Sequence, residues 1–118
     1  MIDDEPQMRR VLERWLGRRH RVTSVADASS ALTLLEELNP DVLLCDLTMP
    51  IMTGQAFYER LVQSQPRFVS RFVLMTGGAV SPELAAFLGT TSRPVLRKPF
   101  SLAEVEEAIA NVRGGDSG

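Results

Sequence analysis

Two short runs constrain this chain more than any other feature. Val42-Leu43-Leu44-Cys45 and Phe72-Val73-Leu74-Met75 are apolar at every position, and each ends in a polar residue, Asp46 and Thr76 respectively. A strand with one wet face alternates apolar and polar residues, whereas an unbroken apolar run fits a strand covered on both faces. Weaker strand signals lie at Arg21–Val25 and Val95-Leu96. Between these runs the apolar residues recur at helical spacing instead, as in Met8, Val11, Leu12, Trp15 and Leu16. Strands that alternate with helices make right-handed crossovers and a parallel sheet. The expected fold class is therefore α/β, a doubly wound sheet with helices on both faces.

The helix boundaries carry their own chemistry. Pro6 opens the first helix and Gly17 closes it. Asp27 and Ser29-Ser30 offer caps to a second, which Asn39-Pro40 stops, and a third follows Gly54. Ser81-Pro82-Glu83 places a capping hydroxyl before a proline at the first helical position. Ser101 and Glu104 form a capping box for the fifth. The remaining Gly114–Gly118 reads as a frayed tail or the start of a linker, which leaves residues 1–113 as one domain.

Composition then excludes several classes. A chain of 118 residues has room for one core, and 44% apolar content can build it. With 13 basic and 15 acidic side chains the net charge is −2, which lacks the basic field of a direct nucleic-acid binder. No apolar run is long enough for membrane insertion. The start, Met1-Ile2-Asp3-Asp4-Glu5, is acidic where a secretory leader would be basic, so a cytoplasmic location is expected. A lone cysteine makes no internal disulfide, and alternation turns Cys45 to the face opposite Asp46, into the core. Trp15 and the leucine stripes are expected in the core as well. His20, within Arg18-Arg19-His20-Arg21, is expected on a surface loop. Arg9, Arg10 and Arg14 form either a solvated face partly paired with Glu13 or a docking face for a protein partner. No aromatic residues are interleaved with them for nucleic-acid stacking.

In an open parallel sheet, functional groups gather beyond the carboxyl ends of the strands. The residues due there are Asp3 and Asp4, Asp46, Thr76 and Lys98. Clustered carboxylates repel one another, and a hard divalent cation such as Mg²⁺ relieves that repulsion. An aspartate in such a site can also attack a phosphoryl group and form an acyl phosphate. The charge on the phosphoryl oxygens then needs metal, ammonium and a neutral donor around it. Lys98 is the single lysine beside 12 arginines, a compact point charge where the rest of the chain uses planar forks.

Four motifs in this order, Asp3-Asp4-Glu5, Leu44-Cys45-Asp46-Leu47-Thr48-Met49-Pro50 with Gly54, Thr76-Gly77 and Lys98-Pro99-Phe100, span nearly the whole chain. In them the sequence resembles the receiver domains of two-component response regulators. The resemblance implies a three-layer αβα, flavodoxin-like sheet of five parallel strands in the order 2-1-3-4-5. It implies that Asp46 accepts a phosphoryl group from a phosphohistidine on a histidine kinase or histidine phosphotransfer domain. Asp4, Asp46 and the carbonyl of Thr48 would ligate Mg²⁺, with Asp3 acting through water. Thr76 and Lys98 would contact the phosphoryl group, and Lys98-Pro99 would be cis. The change in surface around the fourth helix and fifth strand would reach a downstream effector protein or fused domain. On this reading the domain is not primarily an enzyme.

The sequence departs from that pattern twice. Only Met1 and Ile2 precede the acidic pair, where the family has a longer apolar run. The first strand is therefore expected to be truncated, the chain starting inside a longer one or gaining a strand from a partner. Val95 stands where many members carry a tyrosine or phenylalanine that swings with the switch. Two rival readings remain beside the main one. The first is a degenerate receiver acting as a phosphorylation-independent interaction module. The second is an aspartyl-nucleophile phosphatase, a class that carries a second aspartate where this chain has Thr48.

Overall fold

The structure is a computed structural model and describes residues 1–47, 53–77 and 81–115. Five helices, α1 (Pro6–Leu16), α2 (Ala28–Leu38), α3 (Gly54–Ser64), α4 (Pro82–Thr90) and α5 (Leu102–Gly115), alternate with three strands. The strands are β1 (Leu43–Asp46), β2 (Phe72–Thr76) and β3 (Val95–Arg97), parallel and adjacent in that order. Leu43 pairs with Phe72 and Leu74 with Val95. A 3₁₀ turn over Pro66–Arg71 leads into β2 and was not visible in the sequence pattern.

Apart from half-buried Val42, both apolar runs are buried along their length because the two faces of the sheet are covered by different helices. Leu43, Cys45, Phe72 and Leu74 join one core cluster with residues of α2, α3 and α4. Leu44, Val73, Met75 and Leu96 join the other, with Leu12 and Leu16 of α1 and Val105 and Ile109 of α5. This is the three-layer doubly wound arrangement expected. Cys45 is buried, on the face opposite the Leu44 and Met75 side chains. Trp15 is only half-buried, at the margin of the second cluster.

The helix ends follow the expected caps. Asp27 accepts from the Ser30 amide at 2.7 Å, and Asn39 ends α2 in the left-handed region at φ 43°. Ser81 accepts from the Leu84 amide at 3.1 Å. Ser101 and Glu104 exchange hydrogen bonds, each from a backbone amide to the other's side chain, at 3.1 Å. α5 runs through Gly114 and Gly115, where the sequence suggested a tail.

One outer strand expectation needs correction. Arg21–Val25 forms no strand; Val25 alone makes a bridge, to Ile2. Ile2 also bridges Cys45, so the order Val25, Ile2, β1, β2, β3 reproduces 2-1-3-4-5, with the first two members reduced to single bridges. The reason is local. The segment facing Arg21–Val25 is Met1–Asp3, which reaches only Thr23 and Val25: the Met1 ammonium donates to Thr23 O at 2.8 Å, and the Val25 amide to Met1 O at 3.0 Å. On its other edge the Ile2 amide donates to Leu44 O at 2.7 Å and the Asp46 amide to Ile2 O at 2.9 Å. The central strand is thus present as a single, fully bonded residue.

Candidate functional site

The carboxyl end of each strand delivers one group to a common point. Ile2 leads directly into Asp3 and Asp4, β1 ends at Asp46, β2 at Thr76, and β3 runs into Lys98. Asp3, Asp46 and Thr76 are the buried polar residues of the described core; Asp4 is half-buried. One carboxylate oxygen from each of Asp3, Asp4 and Asp46 lies within 4.8 Å of the others. Lys98 Nζ reaches into them, 3.2 Å from Asp3 Oδ2 and 3.5 Å from Asp46 Oδ2, with Glu5 Oε1 at 3.9 Å.

The backbone holds this group from several directions. The Glu5 amide donates to Asp3 Oδ1 at 2.9 Å, and Arg9 Nη1 donates to Asp3 O at 2.8 Å. The Lys98 amide donates to Thr76 O at 2.7 Å, tying the two strand ends together. The Lys98-Pro99 peptide is cis. A Cβ at Gly77 would be tight against Lys98, meeting its Cβ at 3.0 Å and Cδ at 3.2 Å, so the lysine would have to give by a few tenths of an ångström. Glycine lets the lysine stem lie flat against the loop and point its ammonium at the carboxylates.

Electrostatics show which groups are stressed. Burial raises the pKa of Asp3, and the Asp46 charge adds to this; the Glu5 amide and Lys98 act in the opposite direction without overcoming it. Burial alone would lower the Lys98 pKa, but the charges of Asp46, Asp3 and Glu5 outweigh burial and raise it. Thr76 Oγ1 is buried with no hydrogen-bond partner among the described residues. A buried hydroxyl without a partner costs roughly 1–3 kcal/mol.

Donor chemistry decides what the cluster could hold. Carboxylate oxygens crowded this closely suit a hard oxygen-seeking cation such as Mg²⁺ and offer nothing to a soft one. Asp3, Asp4 and Asp46 fit that role; Thr48 lies outside the described residues, as does Gly78 beyond Gly77. Val95 is half-buried and packs against the α2, α3 and α4 side of the core. Of the three arginines, Arg9 is committed to the site's backbone, while Arg10 and Arg14 are exposed. His20 is anchored to α5, its Nε2 3.1 Å from Glu106 Oε1. Sequence reasoning missed the His20 contact because Glu106 is far away in the chain, and the Arg9 contact because its acceptor is a backbone carbonyl.

The fold and this edge define a class: a doubly wound module presenting a buried aspartate, two further carboxylates, a hydroxyl and a lysine. The family model of the response regulator receiver domain matches residues 1–110. This chain belongs to that family. It is 31% identical, over 98% of its length, to protein-glutamate methylesterase/protein-glutamine glutaminase 2 of Burkholderia thailandensis, 34% of which is covered. It is also 31% identical, over 95% of its length, to the DNA-binding transcriptional regulator NtrC of Salmonella typhimurium, 23% of which is covered. The chain thus spans about a third or less of these relatives. Among solved structures, Vibrio cholerae chemotaxis protein CheY4 is 28% identical with a TM-score of 0.75, 94% of this chain and 93% of that one being covered. A response regulator receiver domain protein from Clostridium thermocellum shares the fold at a TM-score of 0.83, with 20% identity over 98% of this chain and 93% of that one.

Proposed function

We propose that this receiver domain accepts a phosphoryl group on Asp46. The observation that carries the reading is Lys98 Nζ placed between two buried carboxylates, Asp3 and Asp46, beside a buried hydroxyl with no partner among the described residues. A carboxylate oxygen of Asp46 attacks phosphorus, the bond from phosphorus to the donor's imidazole nitrogen breaks, and the imidazole leaves with its electron pair. Lys98 then exchanges its contact with Asp46 for a phosphoryl oxygen, and Thr76 Oγ1 donates to another. Asp3, Asp4 and Asp46 would hold Mg²⁺, with the Thr48 carbonyl that the family resemblance adds. When bound, Mg²⁺ neutralises charge on the phosphoryl oxygens and lets the carboxylates lie close together.

The donor is a histidine kinase or a histidine phosphotransfer domain, in the cytoplasm. Arg10 and Arg14 are the contacts that α1 offers it; Arg9 is held by Asp3 O and orders the loop instead. Residues 1–115, through the end of α5, form the working unit, and its output reaches a fused or separate effector. With aliphatic Val95, the output runs through Thr76 and its loop without a swinging ring. The domain assists its own phosphorylation and hydrolysis and is otherwise no enzyme.

Intact-mass measurement after incubation with acetyl phosphate and Mg²⁺ tests this. One phosphoryl adduct is expected, absent with chelator and absent in Asp46→Asn. An undiminished adduct in Asp46→Asn would refute the assignment. Mg²⁺-binding protein that takes no phosphoryl group would favour the interaction-module reading.

A further inference from the structure

Away from the aspartate cluster, Arg67, Arg71 and Arg93 converge on one turn, the 3₁₀ segment Pro66–Arg71 that leads into β2. The guanidinium carbons of Arg67 and Arg71 lie 4.6 and 5.3 Å from the centroid of the Phe68 ring. Phe68 is fully buried, so both cations rest against a ring fixed in the core. Arg71 Nη1 donates to Asn39 Oδ1 at 3.0 Å and to Pro40 O at 2.9 Å. Arg93 comes from the loop before β3; its Nε donates to Phe72 O at 3.2 Å and its Nη2 to Ser70 O at 2.6 Å. Arg71 and Arg93 are half-buried, and Arg67 is exposed.

What these three cations lack is a counter-charge. Lys98 has Asp3, Asp46 and Glu5 around it, whereas among the described residues no carboxylate stands within ion-pair distance of Arg67, Arg71 or Arg93. Asp41 follows Pro40 and is exposed, yet forms no ion pair with Arg71. Like charges held on fixed anchors repel one another, and an anion between them relieves that repulsion. The carbonyls use only part of each fork. Among the described residues, Nε and Nη2 of Arg71, Nη1 of Arg93 and every N–H of Arg67 have no hydrogen-bond partner. The bonds to carbonyls also hold Arg71 and Arg93 in place, so these side chains have little freedom left to lose on binding.

We propose that Arg67, Arg71 and Arg93 form a docking site for an acidic segment of a partner protein, whose carboxylates pair with the three guanidiniums. Planar forks match carboxylates two bonds at a time, and complementary charge selects the partner. Three forks on separate anchors suit several carboxylates along one segment better than a single small anion. A bilayer surface attracts protruding basic side chains, and two of these three are half-buried. Single-stranded nucleic acid needs exposed rings to stack on, and the ring here, Phe68, is fully buried. The site lies at the start of β2, at the opposite end of that strand from Thr76. An acidic segment bound there leaves the Asp46 edge open.

Calorimetric titration of the full chain with the peptide acetyl-Asp-Glu-Asp-Glu-Asp-amide, at about 20 mM salt, tests this. One-to-one, sub-millimolar binding is expected, weakened about tenfold or more at roughly 0.5 M salt. The same peptide with asparagine and glutamine in place of its acids should not bind. Arg67→Glu should weaken binding by about tenfold, one 1.4 kcal/mol step. Arg67 is exposed and makes no hydrogen bond among the described residues, so this variant should fold, as its thermal melt would show. Arg10→Glu makes the same charge change on α1 and should leave the affinity within about twofold. No saturable binding at millimolar peptide and low salt, full affinity in folded Arg67→Glu, or equal weakening in Arg10→Glu would overturn the proposal. So would an oligothymidylate that binds more tightly than the peptide and loses that affinity in Arg67→Glu, since the site would then take nucleic acid.

Discussion

The two ends of this sheet are built from the same strands and filled very differently. At the carboxyl end, Asp3, Asp46, Thr76 and Lys98 are packed together, with Arg9, the Glu5 amide and the Thr76 carbonyl all fixing their supports. At the amino end, Arg21–Val25 and Val42–Leu44 line an apolar cavity of about 390 Å³ instead of a cluster of charges. Ile2 separates the two: it is buried, bridges both neighbours and leads directly into Asp3. The difference teaches that the acidic pair is placed by the bridges of Ile2 and by contacts local to Asp3.

That comparison can be broken most forcefully at Ile2. Ile2→Ala should cost roughly 2–5 kcal/mol, since it deletes buried side chain where two core walls meet. Denaturant unfolding would measure it, and Mg²⁺ affinity should fall in the folded variant because Asp3 loses its anchor. A cost below 1 kcal/mol would mean that the site end stands without the central residue.

Thr76→Val works in the opposite direction. Removing a buried hydroxyl that has no partner among the described residues should leave the free domain as stable or more stable, by about 1 kcal/mol, while phosphorylation by acetyl phosphate slows. Thermal melts and the rate of adduct formation would separate the two effects. A loss of stability would show that the hydroxyl already serves the resting fold.

Asp3→Asn sharpens the electrostatic half. The Asp3 pKa is raised in the fold, so the folded state holds that proton more tightly than the unfolded chain does. Its contribution is therefore greatest below the ordinary 3.8 and declines as pH rises from there through the folded value. In Mg²⁺-free buffer the variant should be more stable than wild type at pH 7, the gap closing as pH falls toward 3.8. Lys98 follows the same sign in a higher window: its raised pKa gives stability that is present below 10.5 and lost as pH climbs through the folded value. Mg²⁺ affinity in Asp3→Asn should drop by about 10–100-fold, as titration would show. A destabilised variant at pH 7 would contradict the account of burial.

Much of this was legible in the sequence. Unbroken apolar runs ending in Asp46 and Thr76 identified buried parallel strands and the edge where chemistry sits, because burial on both faces leaves no polar position to spare. Ser81, Asp27 and the Ser101–Glu104 pair gave helix starts, since a cap is a short-range contact. Arg21–Val25 misled: its β-branched residues satisfy strand propensity, but propensity alone does not make a ladder, and Val25 alone is bridged. The hold of Arg9 on Asp3, the His20–Glu106 pair and the clearance at Gly77 were illegible because each depends on how separate elements meet.

The most direct test of the central claim is to locate the acyl phosphate itself. Protein treated with acetyl phosphate and Mg²⁺ would be reduced with borohydride, which converts an aspartyl phosphate to homoserine, and digested for peptide mass mapping. Homoserine at position 46 alone is the predicted result. Homoserine at position 3 or 4, or a phosphoryl group that resists borohydride and stays on another side chain, would contradict it.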